Sequence, residues 1–162
     1  MSDTALTISA SKRNILSEQE RAATGGLTHK FSVSYSDIAF GSGTEDTVTL
    51  TLGNTPAKFI IKNSLTNVTT AFAGTTAMSI IVGVTGDTNA FIESQAITTA
   101  AVALTPTTTA GMNQMGAYPG TKGQSAVSMV ATFTNSVGGS PSSLTAGALD
   151  IYVGILDLDD LP

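Results

Sequence analysis

Leu149-Asp150-Ile151-Tyr152-Val153-Gly154-Ile155-Leu156-Asp157-Leu158 reads as one long strand with two apolar faces. The two-residue period of extended chain puts Leu149, Ile151, Val153 and Ile155 on one side and Tyr152, Leu156 and Leu158 on the other. Such a strand needs cover on both sides. Although only Asp159-Asp160-Leu161-Pro162 follows it, it is expected in the middle of a sheet or beneath a neighbouring subunit rather than at a solvated edge.

The same period recurs upstream. Val127, Met129, Ala131 and Phe133 alternate, as do Met78, Ile80, Val82 and Val84, and Val48, Leu50 and Leu52. Lys58 to Leu65 reads as a strand, followed by an extended piece from Val68 to Phe72 whose parity slips at Asn67. Phe31, Val33 and Tyr35 point one way and Ile38 with Phe40 the other, which predicts a bulge or bend at Ser36-Asp37. Phe91-Ile92 and Ala96 to Leu104 supply further extended chain. Gly53-Asn54-Thr55-Pro56, Gly86-Asp87-Thr88-Asn89 and Gly138-Gly139-Ser140-Pro141 carry turn chemistry. Roughly seven to nine strands with short turns and no helical insert predict an all-β fold, an antiparallel two-sheet sandwich of jelly-roll or immunoglobulin-like kind over residues 28–162.

Residues 1–27 differ, with few large apolar side chains and three of the seven Lys and Arg residues. Ser17-Glu18-Gln19-Glu20 matches a capping box, and Gly25-Gly26 can end the turn, so one short helix is expected at about Glu18 to Ala23. Ala5 to Ser9 is expected to pair with a sheet edge. This region is predicted to be an extended N-terminal arm, dispensable for folding of the sandwich.

Charged residues make up only 12% of the 162, against roughly 25% in ordinary soluble domains, and mean hydropathy is +0.23. A surface so poor in charge suits burial by partners, although a Thr-rich extracellular sandwich would share the composition. The net charge of −5 argues against nucleic acid as a partner, because Lys12-Arg13 with Arg21 is the one basic cluster and no stripe exists to neutralise phosphates. The absence of cysteine excludes disulfides and thiolate zinc sites. Met1-Ser2-Asp3-Thr4 lacks a secretory signal pattern, and no window approaches the roughly 18 to 20 apolar residues of a membrane helix, so synthesis in the cytoplasm and no membrane partner are expected.

Catalytic chemistry is sparse. His29 is the single histidine, so any nucleophile activated by imidazole would depend on it. It stands between Thr28 and Lys30 outside any elbow or metal spacing, as a surface or interface residue would. Asp157, Asp159 and Asp160 cluster at the end but lack the ordered Asp, Asn and Gly pattern of a calcium loop, and so read as a solvated acidic finish. Asp87 and Asn89 are read the same way. No catalytic, cofactor-binding or metal-binding residue is assigned, and no cofactor is expected. Tyr118, in the aperiodic stretch 106–124, is the one candidate for stacking on a sugar.

Two stretches carry a resemblance. Lys62-Asn63-Ser64-Leu65-Thr66-Asn67-Val68-Thr69-Thr70-Ala71-Phe72-Ala73-Gly74-Thr75-Thr76, leading into Ile80-Ile81-Val82-Gly83-Val84-Thr85-Gly86-Asp87-Thr88-Asn89-Ala90-Phe91-Ile92, is similar to small β-sandwich structural proteins of tailed bacteriophages. Leu144-Thr145-Ala146-Gly147-Ala148-Leu149-Asp150-Ile151-Tyr152-Val153 resembles their last strand. The resemblance implies a virion component, a head decoration or cement protein without enzymatic activity. Its partners would be the major capsid protein and copies of itself, as a trimer before a dimer. A carbohydrate-binding or host-adhesion module, or another head or tail component, is the alternative.

Overall fold

The computed structural model describes residues 4–8, 10–23, 25–38, 47–99, 125–135 and 143–159. They form two packed β-sheets. The strands are β1 (Thr4–Thr7), β2 (Arg13–Ile15), β3 (His29–Ser34), β4 (Thr47–Asn54), β5 (Phe59–Ala73), β6 (Met78–Val84), β7 (Asp87–Ala96), β8 (Ser128–Asn135) and β9 (Ala146–Asp157). One sheet has the order β1-β4-β8-β6-β7 and the other β2-β3-β9-β5. All pairings are antiparallel except β1 with β4, which is parallel. The all-β two-sheet sandwich expected from the alternation is therefore the fold.

Strand β9 lies at the centre of its sheet, between β3 and β5. Leu149, Ile151, Val153 and Ile155 are buried in the core, while Tyr152, Leu156 and Leu158 are half-buried on the outer face. The inner faces contribute Val48, Leu50, Leu52, Met78, Ile80, Val82, Val84, Met129, Ala131 and Phe133 from the five-stranded sheet and Phe31, Val33, Phe59, Ile61, Val68 and Phe72 from the other. Full burial of each such side chain stabilises by about 1.5–3 kcal/mol, so one continuous core holds the sheets together. Gly147 (φ 142°) sits where an added Cβ would enter the Phe72 ring, which fixes the close approach of β9 to β5.

Several local expectations are revised. The bulge or bend expected at Ser36-Asp37 takes the form of a helical turn, α2 (Tyr35–Ile38), following the first helix α1 (Glu18–Ala23). Asp37 accepts hydrogen bonds from the Ser34 N–H (2.7 Å) and hydroxyl (2.8 Å). The sequence Ser34-x-x-Asp37 is thus a second capping motif, and the turn buries Ile38 while leaving Tyr35 exposed. The two extended pieces of 58–72 form a single strand, β5, whose parity changes at Lys62 and not at Asn67. The register with β9 shifts between Ile61 and Asn63, so Ser64, Thr66 and Val68 face inward and Leu65 outward. The predicted loop Gly86 to Asn89 is a tight turn at Thr85-Gly86, with Gly86 at φ 97°. Asp87 to Asn89 already belong to β7, whose Asp87 pairs with Val84. Strand β7 ends at Ala96, and Ile97 to Thr99 are not strand. Residues 100–104, the 106–124 stretch with Tyr118, the Gly138–Pro141 turn, Phe40 and Asp160 lie outside the described residues.

Helix α1 occupies the predicted span. Its capping box is complete, with the Glu20 carboxylate accepting from the Ser17 N–H (2.9 Å) and hydroxyl (2.8 Å). These bonds hold the Glu20 carboxyl below its ordinary value, the backbone N–H contributing most. The N-terminal segment lies along its own sandwich. Strand β1 extends the five-stranded sheet, β2 extends the four-stranded one, and Ile8, Leu16 and Leu27 are buried.

Candidate functional site

The residues singled out for chemistry do not converge. His29 opens β3 at one end of the sandwich, half-buried, with its ring stacked on Phe31 at a centroid distance of 6.3 Å. Burial, and secondarily the Arg21 guanidinium, push the imidazole below its ordinary pKa. The neutral ring is favoured, and its Nδ1 lies 2.7 Å from the Thr28 hydroxyl. That hydroxyl oxygen also accepts the Ile155 N–H at 2.8 Å. Thr28 is therefore a strut between the β3 entry and β9, bound on two sides, and not a hydroxyl poised for attack.

An open groove of about 560 Å³ borders His29, with Arg21, Lys62 and Asp157 on its polar side and Ile15 and Leu156 on its apolar side. Arg21 donates from Nε to the Leu16 carbonyl at 2.8 Å, which anchors α1 beside the groove. Ile15, at 73% exposure, is the most exposed large apolar side chain described.

The predicted basic cluster is dispersed. Lys12 reaches both carboxylate oxygens of Asp37 (2.7 and 2.6 Å) and the Ser34 hydroxyl (3.2 Å). Burial raises the Asp37 pKa, but Lys12 and the two Ser34 donors outweigh it and hold the carboxyl below its ordinary value. Arg13 donates to the Ile8 carbonyl at 3.0 Å and packs against Gly53. Its Nε, like Asn63 Oδ1, is buried with no partner among the described groups.

The acidic finish is likewise tied into the protein. Asp159 is paired with Lys58, and its N–H donates to Asp157 Oδ1 at 3.0 Å. Among the described residues no group of three or more acidic or histidine side chains is placed to hold a metal ion, and Asp87 and Asn89 sit in the turn-proximal first residues of β7. No described helix is long and apolar enough to cross a membrane.

What the sequence reading missed is the character of the two outer faces. On the five-stranded sheet, Thr47, Thr49 and Thr51 of β4 stand beside Thr134, Thr132 and Val130 of β8, of which Thr132 and Val130 are buried, with Ser79 and Ile81 of β6 beyond. Thr49 and Thr132 share a hydrogen bond at 3.1 Å. The sequence signal was Thr47-Val48-Thr49-Leu50-Thr51, where every second residue is Thr. On the other sheet Lys30 pairs with Asp150 (2.9 Å) and lies over the Tyr152 ring, while Asp150 also accepts from the Ser32 hydroxyl. The Asp150 hydrogen bond is the main cause that raises the Lys30 pKa. Around this neutralised pair stand Leu65, Ile60 and Leu156, all half-buried. Comparison with known proteins found no match to a family model, a curated protein or a solved structure.

Proposed function

We propose that this chain is a structural protein of a virus particle, a decoration or cement protein that binds the outer surface of the major capsid shell and self-associates there. The observation that carries this reading is the outward face of each sheet. One is a Thr, Ser and aliphatic array without charge over β4, β8 and β6, with Glu93 exposed on the edge strand β7, and the other has its central charges, Lys30 and Asp150, neutralised within the chain. The centres of such faces lose little solvation on contact with another protein, because no unpaired ion has to be buried there. The resemblance of the central and last strands to phage structural proteins supplies the kind of partner. The work is mechanical: each copy bridging capsid subunits adds contacts that must break before the shell opens, so it raises the barrier to opening.

Particles lacking the protein should assemble, yet release their genome at lower temperature or milder osmotic shock, with resistance restored by adding the purified protein. Particles equally robust without it but unable to adsorb to cells would overturn the cement reading in favour of an adhesion module. Failure to form heads at all would point to an earlier role in assembly.

A further inference from the structure

Strand ends from both sheets meet at one end of the sandwich. Strand β4 finishes there at Asn54, β9 at Asp157 and β2 at Ile15, while β3 starts at His29 and β8 at Ser128. Two open cavities lie among these ends. The groove of about 560 Å³ has Ile15, His29, Pro56 and Lys62 on its walls, and a second cavity of about 260 Å³ has Ile15, His29, Arg13, Leu52 and Asn54. Ile15 and His29 line both, so the two adjoin and form one open cleft across this end.

The charge of the cleft is opposite to that of the chain. The net charge is −5, and Lys12, Lys30 and Lys58 are each spent on an aspartate. The other described cations, Arg13, Arg21 and Lys62, all line the cleft. Among the described residues neither Arg13 nor Lys62 has an acidic partner. The Arg13 Nη2 donates to the Ile8 carbonyl at 3.0 Å, but its Nε is buried with no partner. Asp157 is the one acid among the described lining residues, and its Oδ1 already accepts the Asp159 N–H at 3.0 Å. Beside these cations stand Ile15, at 73% exposure, and Leu156, half-buried. A cationic wall with an aliphatic ridge recognises carboxylate and aliphatic side chains together. Small-molecule sites enclose most of their ligand, whereas an open cleft of this kind takes a chain that passes through it.

We infer that the cleft docks an extended peptide segment of a partner protein, one that bears both carboxylate and aliphatic side chains. The carboxylates face Arg13, Arg21 and Lys62, and the aliphatic side chains cover Ile15 and Leu156. The inference is independent of the capsid reading, which concerns the outer faces of the sheets.

His29 is the single histidine and lines both cavities, so its ring gives one unambiguous NMR signal at the site. Titrating the native chain with a synthetic peptide of alternating leucine and aspartate should move that signal saturably. Peptides alternating leucine with lysine, or serine with aspartate, each lose one complementary feature and should bind roughly ten-fold more weakly. Lys62→Glu and Ile15→Ser change exposed side chains and should fold as the native chain does by circular dichroism. Each should nevertheless weaken binding of the acidic peptide about five-fold. Glu93→Gln, exposed on β7 outside the cleft, should leave it unchanged, and sodium acetate at the same carboxylate concentration should leave the ring signal in place. A signal that does not move, equal binding by both cleft variants and the native chain, or acetate that shifts the ring as far as the peptide does would overturn the docking cleft. These measurements use the isolated chain, so the capsid reading stands or falls separately, on the stability of particles.

Discussion

Ile151 and Leu156 offer the sharpest test of how β9 sits, because they lie on one strand and face opposite ways. Ile151 is 0% exposed, between Phe31 of β3 and Thr66 of β5. Ile151→Ala removes three carbon groups worth about 0.8 kcal/mol each. Its neighbours are fixed by ladders on both sides and collapse little, so a residual cavity of roughly 50 Å³ adds about 1.2 kcal/mol at 24 cal/mol per Å³. The expected loss is about 3.5 kcal/mol, a large share of the roughly 5–15 kcal/mol that holds a domain folded. Leu156 is half-buried on the outer face, can be replaced by water and should cost about 1 kcal/mol as Ala. With a urea dependence of about 2 kcal/mol/M, the unfolding midpoint should fall by roughly 1.5–2 M for Ile151→Ala and about 0.5 M for Leu156→Ala, read by circular dichroism at one fixed protein concentration. Equal shifts, or the reverse order, would refute the assignment of the inner face. Aspartate sharpens the contrast: Val153→Asp buries an unpartnered carboxyl and should abolish folding, whereas Leu156→Asp should fold.

Asp37→Ala removes the α2 cap and leaves Lys12 half-buried without its carboxylate, an expected cost of about 1–3 kcal/mol at neutral pH. Because the folded Asp37 pKa lies below its ordinary 3.8, the stability it adds is fully present above that value and is lost as pH falls through the folded one. The difference between native and variant urea midpoints should therefore shrink from about pH 7 to about pH 3, and a gap that persists in acid would refute the ion-pair account. Deleting residues 1–16 strips β1 from β4 and β2 from β3 and empties the seats of Ile8 and Leu16, so it should cost about 4 kcal/mol, or roughly 10–15 °C in melting temperature. Unchanged melting would instead leave the segment free to act as an arm on neighbours.

Where a stretch combined clean alternation with consistent turn residues, its strand was legible. Val48, Leu50 and Leu52, or Met129, Ala131 and Phe133, place every inward side chain without knowledge of any partner, because a pleated strand has one geometry. The Ser17-to-Glu20 cap was legible for the same reason: a capping box closes within four residues. Ser34-to-Asp37 had the same signature but was masked by the alternation of Phe31, Val33 and Tyr35 running into it. The parity of β5 was not legible, because Ser64 and Thr66 are polar and read as outward until Phe91 and Gln95 of the other sheet provide their partners.

The chemistry-bearing residues divide in the same way. Composition alone removed cysteine chemistry and left one histidine. That His29 is held neutral depends on the approach of Arg21 and on burial against Phe31. That Lys12, Lys30 and Lys58 are spent on Asp37, Asp150 and Asp159 depends on pairs separated by 25 to 120 residues, here 25 for Lys12 and 101 for Lys58. The sequence by itself determined the alphabet of the fold: which segments are extended, which side of each is apolar, and that the last strand requires neighbours on both flanks. Only the tertiary structure decided which strands those neighbours are, which edges are extended by β1 and β2, and that Ser64 and Thr66 in the middle of β5 are buried. Alternation is a local property of the backbone, whereas pairing, charge neutralisation and edge exposure are set by which distant segments the shared core brings together.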